Sequence, residues 1–233
     1  MHLLLIAELK IQYHLQRAKY NLMLLTVVDY GVGNLRSIAK SIEKANFDNK
    51  LNYSVKISSD INDIKNSDKI VLPGQGSFKA CKKGINNIKG LLDELNESVL
   101  TKKKPIYGIC AGMQLFATKG YEEEETPGLN WIPGEVVKLD LGTTNLKIPH
   151  MGWNELKIKN KSKVFKNVND NNHAYFIHSY EFIPNDKKNV SITTNYGKDV
   201  IAAVSWENIF GSQFHPEKSQ NTGIKILTNF LNL

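Results

Sequence analysis

Nucleophilic catalysis by a thiol needs three groups: the cysteine, a base that takes its proton, and a side chain that fixes the base's tautomer. Cys110, His215 and Glu217 supply those types in that chain order. Cys110 stands in Pro-Ile-Tyr-Gly-Ile-Cys-Ala-Gly-Met-Gln, residues 105–114. A short apolar run leads into the cysteine and a helix-compatible segment, 111–118, follows it. That is the strand–elbow–helix layout that raises a nucleophile above a parallel sheet. Gly108 and Gly112 are expected to allow the tight backbone path, and the helix N-terminus to favour thiolate over thiol. Taken alone, the cysteine reads equally well as a buried strand residue. The segment Gly211-Ser212-Gln213-Phe214-His215-Pro216-Glu217-Lys218 breaks the tie. With His215 ending a strand, His215 and Glu217, two apart, project to one side. A lone His-x-Glu is more often a surface pair, but here it follows a cysteine in an elbow by about a hundred residues.

Gly-Ile-Cys-Ala-Gly-Met-Gln (108–114) and Gln-Phe-His-Pro-Glu-Lys (213–218) together resemble the class I, triad-type glutamine amidotransferases. Further motifs narrow the resemblance to the glutaminase subunits of imidazole glycerol phosphate synthases. These are Asp29-Tyr30-Gly31-Val32-Gly33-Asn34-Leu35-Arg36-Ser37, Pro73-Gly74-Gln75-Gly76-Ser77-Phe78, Pro149-His150-Met151-Gly152-Trp153-Asn154 and Tyr175-Phe176-Ile177-His178-Ser179-Tyr180. The resemblance runs from about Leu24 to the C-terminus. It implies an α/β, flavodoxin-like three-layer fold with a central, mostly parallel sheet, a nucleophile elbow and antiparallel extensions. It also implies hydrolysis of glutamine to glutamate and ammonia through a cysteine thioester, without a cofactor. The ammonia would pass through a channel to a cyclase subunit, a (β/α)8 barrel, that makes imidazole glycerol phosphate and aminoimidazole carboxamide ribotide in histidine biosynthesis.

By the same resemblance, Cys110 attacks the carboxamide, His215 moves the proton and Glu217 orients His215. The oxyanion would be held by backbone amides of Ala111 and of Gln75 or Gly76. Such donors are a large electrostatic contribution to acyl transfer. Gln114, Ser179 and Tyr180 resemble substrate contacts. An acidic residue before Pro127, taken as Glu125 within the run 122–125, would bind the substrate ammonium. Asn34, Trp153 and Asn154 resemble residues that face the cyclase. Two departures stand out: Ala111 where leucine is usual after the cysteine, and Gln75 where valine is usual. Neither removes a catalytic group, and the Gln75 peptide is the expected two-state switch. Two rival readings share the same residues. An amidotransferase subunit of another synthase, such as one adding nitrogen to a surface-polysaccharide sugar, would keep the chemistry and change the partner. A stand-alone cysteine hydrolase would be fully active without one.

Composition bounds these readings. The chain of 233 residues, 41% apolar and 9% aromatic, has enough for one α/β domain with a real core. Residues 23–233 are expected to form it, with 1–22 an extension whose alternative is a start at Met23. Segment 3–15 is apolar with interspersed polar residues and suits an amphipathic helix better than a signal peptide. The net charge of +7 is spread over scattered lysines without interleaved aromatics, so nucleic acid is not an expected partner. No apolar run approaches the ~20 residues that span a bilayer. The only two cysteines, Cys81 and Cys110, make no disulfide framework. A free catalytic thiol implies a reducing, cytoplasmic setting. His150, His173 and His178 fit no ligand spacing, so no metal is expected.

These residues must be positioned by strands and helices that the pattern also suggests. Segments 24–29, 54–57, 69–72 and 106–109 read as short buried strands, alternating with helical stretches at 35–45 and 78–100, the latter interrupted at Gly84 and Gly90. That alternation argues for a parallel sheet covered on both faces. After Trp131, strands are expected at 134–139, 155–158, 174–182, 190–194, 202–206 and 209–214, with a closing helix at 222–231.

Overall fold

The computed structural model describes residues 22–233, and what the sequence suggests for residues 1–21 lies outside the described residues. The first half alternates strand and helix. β1 (Met23–Val28) leads to α1 (Leu35–Asp48), then β2 (Tyr53–Ser58), α2 (Ile61–Lys65), β3 (Lys69–Leu72), α3 (Phe78–Asn87) and α4 (Leu91–Asn96). β4 (Ile106–Ile109) and the single turn α5 (Ala111–Gln114) follow. The second half is mostly β: β5 (Lys119–Gly120), β6 (Thr126–Pro127), β7 (Gly134–Lys138), β8 (His150–Glu155), β9 (Lys157–Ile158), β10 (His173–His178), β11 (Tyr180–Pro184), β12 (Val190–Asn195), β13 (Asp199–Trp206) and β14 (Ile209–Ser212). α6 (Gln220–Leu231) closes the chain.

Eight strands form the main sheet in the order β2-β1-β3-β4-β14-β13-β12-β9. The five from β2 to β14 run parallel, and β13, β12 and β9 extend the sheet antiparallel. Because side chains alternate along a strand, neighbours in the parallel strands serve opposite layers. Val27, Val71 and Tyr107 pack with Ile38 and Ile42 of α1 and Phe230 of α6. Val28, Ile70, Leu72 and Ile106 pack on the other side with Phe78 and Ile85 of α3 and Leu95 of α4. Burying each such side chain contributes roughly 1.5–3 kcal/mol. The three-layer expectation for a mostly parallel sheet with antiparallel extensions is met. A four-stranded sheet, β11-β7-β5-β6, and a two-stranded ribbon, β10-β8, lie beside it.

Four local expectations change. The helical stretch is broken at Gly90, which takes φ +82, but Gly84 stays inside α3. A Cβ at Gly84 would sit 2.5 Å from the Tyr30 carbonyl oxygen, so close packing, not a helix break, explains that glycine. The run 174–182 is two strands in two sheets, divided at Ser179, and 155–158 spans the junction of β8 and β9. β8 itself, over the Pro-His-Met-Gly-Trp-Asn motif, was not anticipated as a strand.

The sheet also decides where chemistry can occur. β3, β4 and β14 are adjacent, with Leu72 opposite Gly108 and Gly108 opposite Gly211. The Gly74–Gln75–Gly76 loop, the cysteine elbow and the His215 segment therefore leave the same, C-terminal edge side by side, where open α/β sheets place their sites.

Candidate active site

Cys110 adopts φ 55 and ψ −116, a conformation a side-chain-bearing residue rarely takes. It is held there from both sides. Its N–H donates to the Ser212 carbonyl at 2.8 Å, and its own carbonyl accepts from Met113 N at 3.0 Å and Gln114 N at 3.1 Å. Gly108 and Gly112 are not in the left-handed region. They are needed for space: a Cβ at Gly112 would lie 2.0 Å from the Leu72 carbonyl oxygen, and one at Gly108 2.6 Å from the Phe116 ring. α5 is a single turn, so it offers its unpaired first N–H groups rather than a sustained macrodipole.

β14 ends at Ser212, before His215, so the strand-end geometry expected for His215 and Glu217 is not the one observed. His215 is held by its N–H to the Tyr175 carbonyl at 2.9 Å and by Ser219 Oγ donating to its carbonyl at 2.6 Å. A 3-10 turn, Pro216–Lys218, then folds Glu217 back onto the ring. Glu217 Oε1 lies 2.8 Å from His215 Nδ1, with both side chains buried. Burial alone would lower the basicity of His215, but the adjacent Cys110 and Glu217 outweigh it and raise its pKa from 6.5 to about 9. His215 Nε2 is buried without a hydrogen-bond partner among the described residues.

Cys110 and His215 line one cavity of about 410 Å³. Gln75, Gly76, Ala111, Gln114, Ile177, His178, Ser179 and Tyr180 line the same cavity. Among the described residues neither Gln75 N nor Gly76 N donates to a backbone carbonyl. Ala111, as the first residue of α5, has an N–H without an intrahelical acceptor. The cavity therefore combines a strained thiol, a charged imidazole–carboxylate pair and free backbone donors, the set that acyl transfer through a thioester requires.

Residues 26–233 match the family model described as glutamine amidotransferase class-I. The imidazole glycerol phosphate synthase subunit HisH of Pelagibacter ubique (strain HTCC1062) is 52% identical over 211 residues, covering 91% of this chain and 100% of that protein. The chain belongs to the class-I glutamine amidotransferases, in their HisH group. The HisH subunit of Brucella suis biovar 1 is 40% identical over 212 residues, covering 90% of this chain and 98% of its own. Among solved structures, a glutamine amidotransferase superposes with a TM-score of 0.65 at 16% identity, covering 89% of this chain and 99% of that one. Another, from Thermotoga maritima, gives 0.58 at 16% identity over 86% and 78%. At that identity the two structures speak for the fold alone.

In this amidotransferase most of the expected site residues meet around the cavity, and several do not. Glu125 is exposed, outside the cavity, and pairs with Lys119 at 3.2 Å. The acidic side chain on the cavity wall is Glu122, three residues earlier. Its Oε2 accepts the Phe78 N–H at 2.7 Å, and burial raises its pKa. Asn34 is exposed and caps α1, accepting the Ser37 N–H at 3.4 Å. Trp153 is exposed on the β10-β8 ribbon. Asn154 points its amide inward, donating to the Asn195 carbonyl at 2.9 Å and to His150 Nε2 at 3.1 Å. Lys218 lines the cavity, with Nζ 5.3 Å from the centre of the Tyr175 ring, and went unassigned although it closes the His-Pro-Glu-Lys motif. Tyr30, in the first glycine-rich turn, donates its hydroxyl to the Pro73 carbonyl just before the Gln75 loop.

No helix among the described residues is long and apolar enough to cross a membrane.

Proposed function

We propose that this amidotransferase hydrolyses glutamine to glutamate and ammonia at Cys110 and hands the ammonia to a cyclase subunit. Cys110 Sγ attacks the glutamine carboxamide carbon. The carbonyl oxygen becomes an oxyanion facing the N–H groups of Ala111 and of the Gln75–Gly76 loop. His215, carrying the thiol proton and oriented by Glu217, gives it to the departing nitrogen, and ammonia leaves. Water then attacks the γ-glutamyl thioester while His215 takes its proton, and glutamate leaves as the thiol is restored. Glu122 receives the substrate ammonium, whose charge offsets the burial of that carboxylate. Gln114, Ser179 and Tyr180 line the substrate's path. The observation that carries this reading is the buried His215–Glu217 contact in the wall of the cavity that contains the Cys110 elbow.

The partner surface is read from the β10-β8 ribbon. Met151 faces Ile177 and Trp153 faces Tyr175 across its register, so these apolar side chains share one outer face. Met151, Trp153 and Ile177 are exposed, and Ile177 also borders the cavity. An exposed apolar face contiguous with a reaction cavity suits a docking partner that receives the product. We assign to it the (β/α)8 cyclase that the HisH resemblance implies, with work in the cytoplasm, where the free thiols Cys81 and Cys110 stay reduced. The Gln75 peptide is the proposed switch between idle and active forms. Crystals with and without the cyclase ligand that show the same Gln75 orientation would end that part of the account.

The assay is glutaminase activity of the chain alone, then mixed with cyclase and its ribonucleotide ligand, with Cys110→Ala as control. Low activity alone, a large rise in the mixture and loss in the control are expected. Full activity without a partner would instead favour a stand-alone hydrolase.

A further inference from the structure

Among the described residues the Cys110 sulfur has one side-chain donor from outside the imidazole–carboxylate pair: Gln213 Nε2, at 3.5 Å. Gln213 is fully buried between β14 and His215, and its backbone N–H is anchored to the Ala202 carbonyl at 2.8 Å. Which end of its amide faces the sulfur follows from the neighbours. Gln114 Nε2 donates to the Tyr180 carbonyl at 3.0 Å and to Gln213 Oε1 at 2.9 Å. A backbone carbonyl can only accept, so the Gln114 nitrogen faces both oxygens, and Gln213 is left with its N–H pointing at Cys110. The same carbonyl fixes the histidines. His178 Nδ1 donates to the Tyr180 carbonyl at 2.9 Å, so its bare Nε2 accepts from His150 Nδ1 at 3.0 Å. His150 Nε2 then accepts from Asn154. Burial lowers the pKa of His178 to about 3 and that of His150 to about 4, so both rings stay neutral and the direction of each bond is kept.

We propose that Gln213 is a positioning residue for the nucleophile, holding the Cys110 sulfur by an N–H donor whose direction the Gln114–Tyr180 contacts dictate. An N–H aimed at sulfur stabilises thiolate over thiol and fixes the sulfur's place beside the cavity. The inference rests on the reading of Cys110 as the nucleophile. Other groups also act on the sulfur. His215, backed by Glu217, comes from the segment after β14, and His178 of β10, Glu122 and Lys218 line the same cavity. Cys81 of α3 and Tyr30, after β1, lie within electrostatic reach. Gln213 is the neutral donor whose removal leaves all of those groups in place.

The test is the rate of Cys110 alkylation by iodoacetamide as a function of pH, followed by peptide mass mapping to separate it from Cys81, in wild type, Gln213→Met and Gln213→Asn. Methionine matches the length without a donor, and asparagine keeps an amide but draws its N–H back by one methylene. The half-rate point is expected to move to higher pH in both, slowing alkylation near neutrality roughly tenfold while the high-pH plateau is kept. Superimposable profiles overturn the proposal, as does a uniform rate change at every pH. If Gln213→Met does not fold, Gln213→Asn decides. Alkylation needs no glutamine turnover, so this result stands apart from the glutaminase loss in Cys110→Ala that tests the reading beneath it.

Discussion

Glu217 Oε1 sits 2.8 Å from His215 Nδ1 inside the protein, and the second oxygen, Oε2, is buried without a hydrogen-bond partner among the described residues. A buried carboxylate so placed needs its charge met by the ring, and Cys110 and Glu217 together raise the ring pKa to about 9 against the effect of burial. Glu217→Gln removes one of the two groups that raise it and leaves burial opposed by Cys110 alone. Glutaminase kcat in the cyclase complex is expected to fall on the order of a thousandfold, and the His215-dependent limb of the pH–rate profile to move to lower pH. Steady-state rates across pH check both.

The histidines set opposite limbs of the stability profile. His215, with a folded pKa of about 9 above the ordinary 6.5, adds stability that is complete below 6.5 and is lost as pH rises through about 9. His178 and His150, with folded values of about 3 and about 4, stay neutral while the unfolded chain takes up protons, so stability is lost as pH falls below 6.5. The urea midpoint is expected to peak near pH 6.5. Glu217→Gln should flatten the alkaline limb and His178→Gln the acid limb. The measurement is a set of urea titrations below, at and above that pH.

Glu122 and Glu125 make opposite predictions. Glu122→Gln keeps an oxygen for the Phe78 N–H but loses the charge facing the cavity. Its KM for glutamine is expected to rise roughly tenfold or more, with kcat largely kept. Glu125→Gln, which breaks only an exposed ion pair with Lys119, should leave both constants unchanged. Equal effects of the two would contradict the placement.

That contrast marks what the sequence could reveal. Cys110, His215 and Glu217 were legible because each sits in a short motif whose residue types and order suit a thiol, its base and an orienting carboxylate. The parallel core was legible from apolar runs alternating with helical periods. Glu122 was not, since four successive glutamates give no local sign of which one turns inward, and the choice is made by the Phe78 N–H, 44 residues away. Gln213 lies in the same motif as His215, yet its link to Cys110 joins residues 103 apart in the chain. The division at Ser179 was hidden because His178 and Tyr180 continue an apolar run while pairing with different strands, β8 and β7. Asn154 adjoins the outward Trp153 in sequence, and strand alternation turns it to the other side.

The ribbon face is predicted to matter for assembly and not for folding. Trp153→Ala should change the stability of the isolated chain by no more than about 0.5 kcal/mol. It should weaken activation by the cyclase, with a loss of about 1–3 kcal/mol in association. Calorimetric titration with the cyclase, beside thermal unfolding of the chain alone, separates the two.

Gly112→Ala tests the elbow. Its Cβ would sit 2.0 Å from the Leu72 carbonyl oxygen, a backbone atom held in β3. We expect a loss on the order of 3 kcal/mol in folding stability, with glutaminase activity lost because the loop after β3 is pushed off Cys110. Denaturant unfolding and activity measured together give the outcome.

The central claim, that Cys110 forms the acyl-enzyme, is tested most directly by mass spectrometry of the cyclase complex after rapid acid quenching during glutamine turnover. A γ-glutamyl adduct mapped to Cys110, absent in Cys110→Ala, is the predicted result. Turnover that proceeds in Cys110→Ala, or an adduct mapped to another residue, would contradict the account.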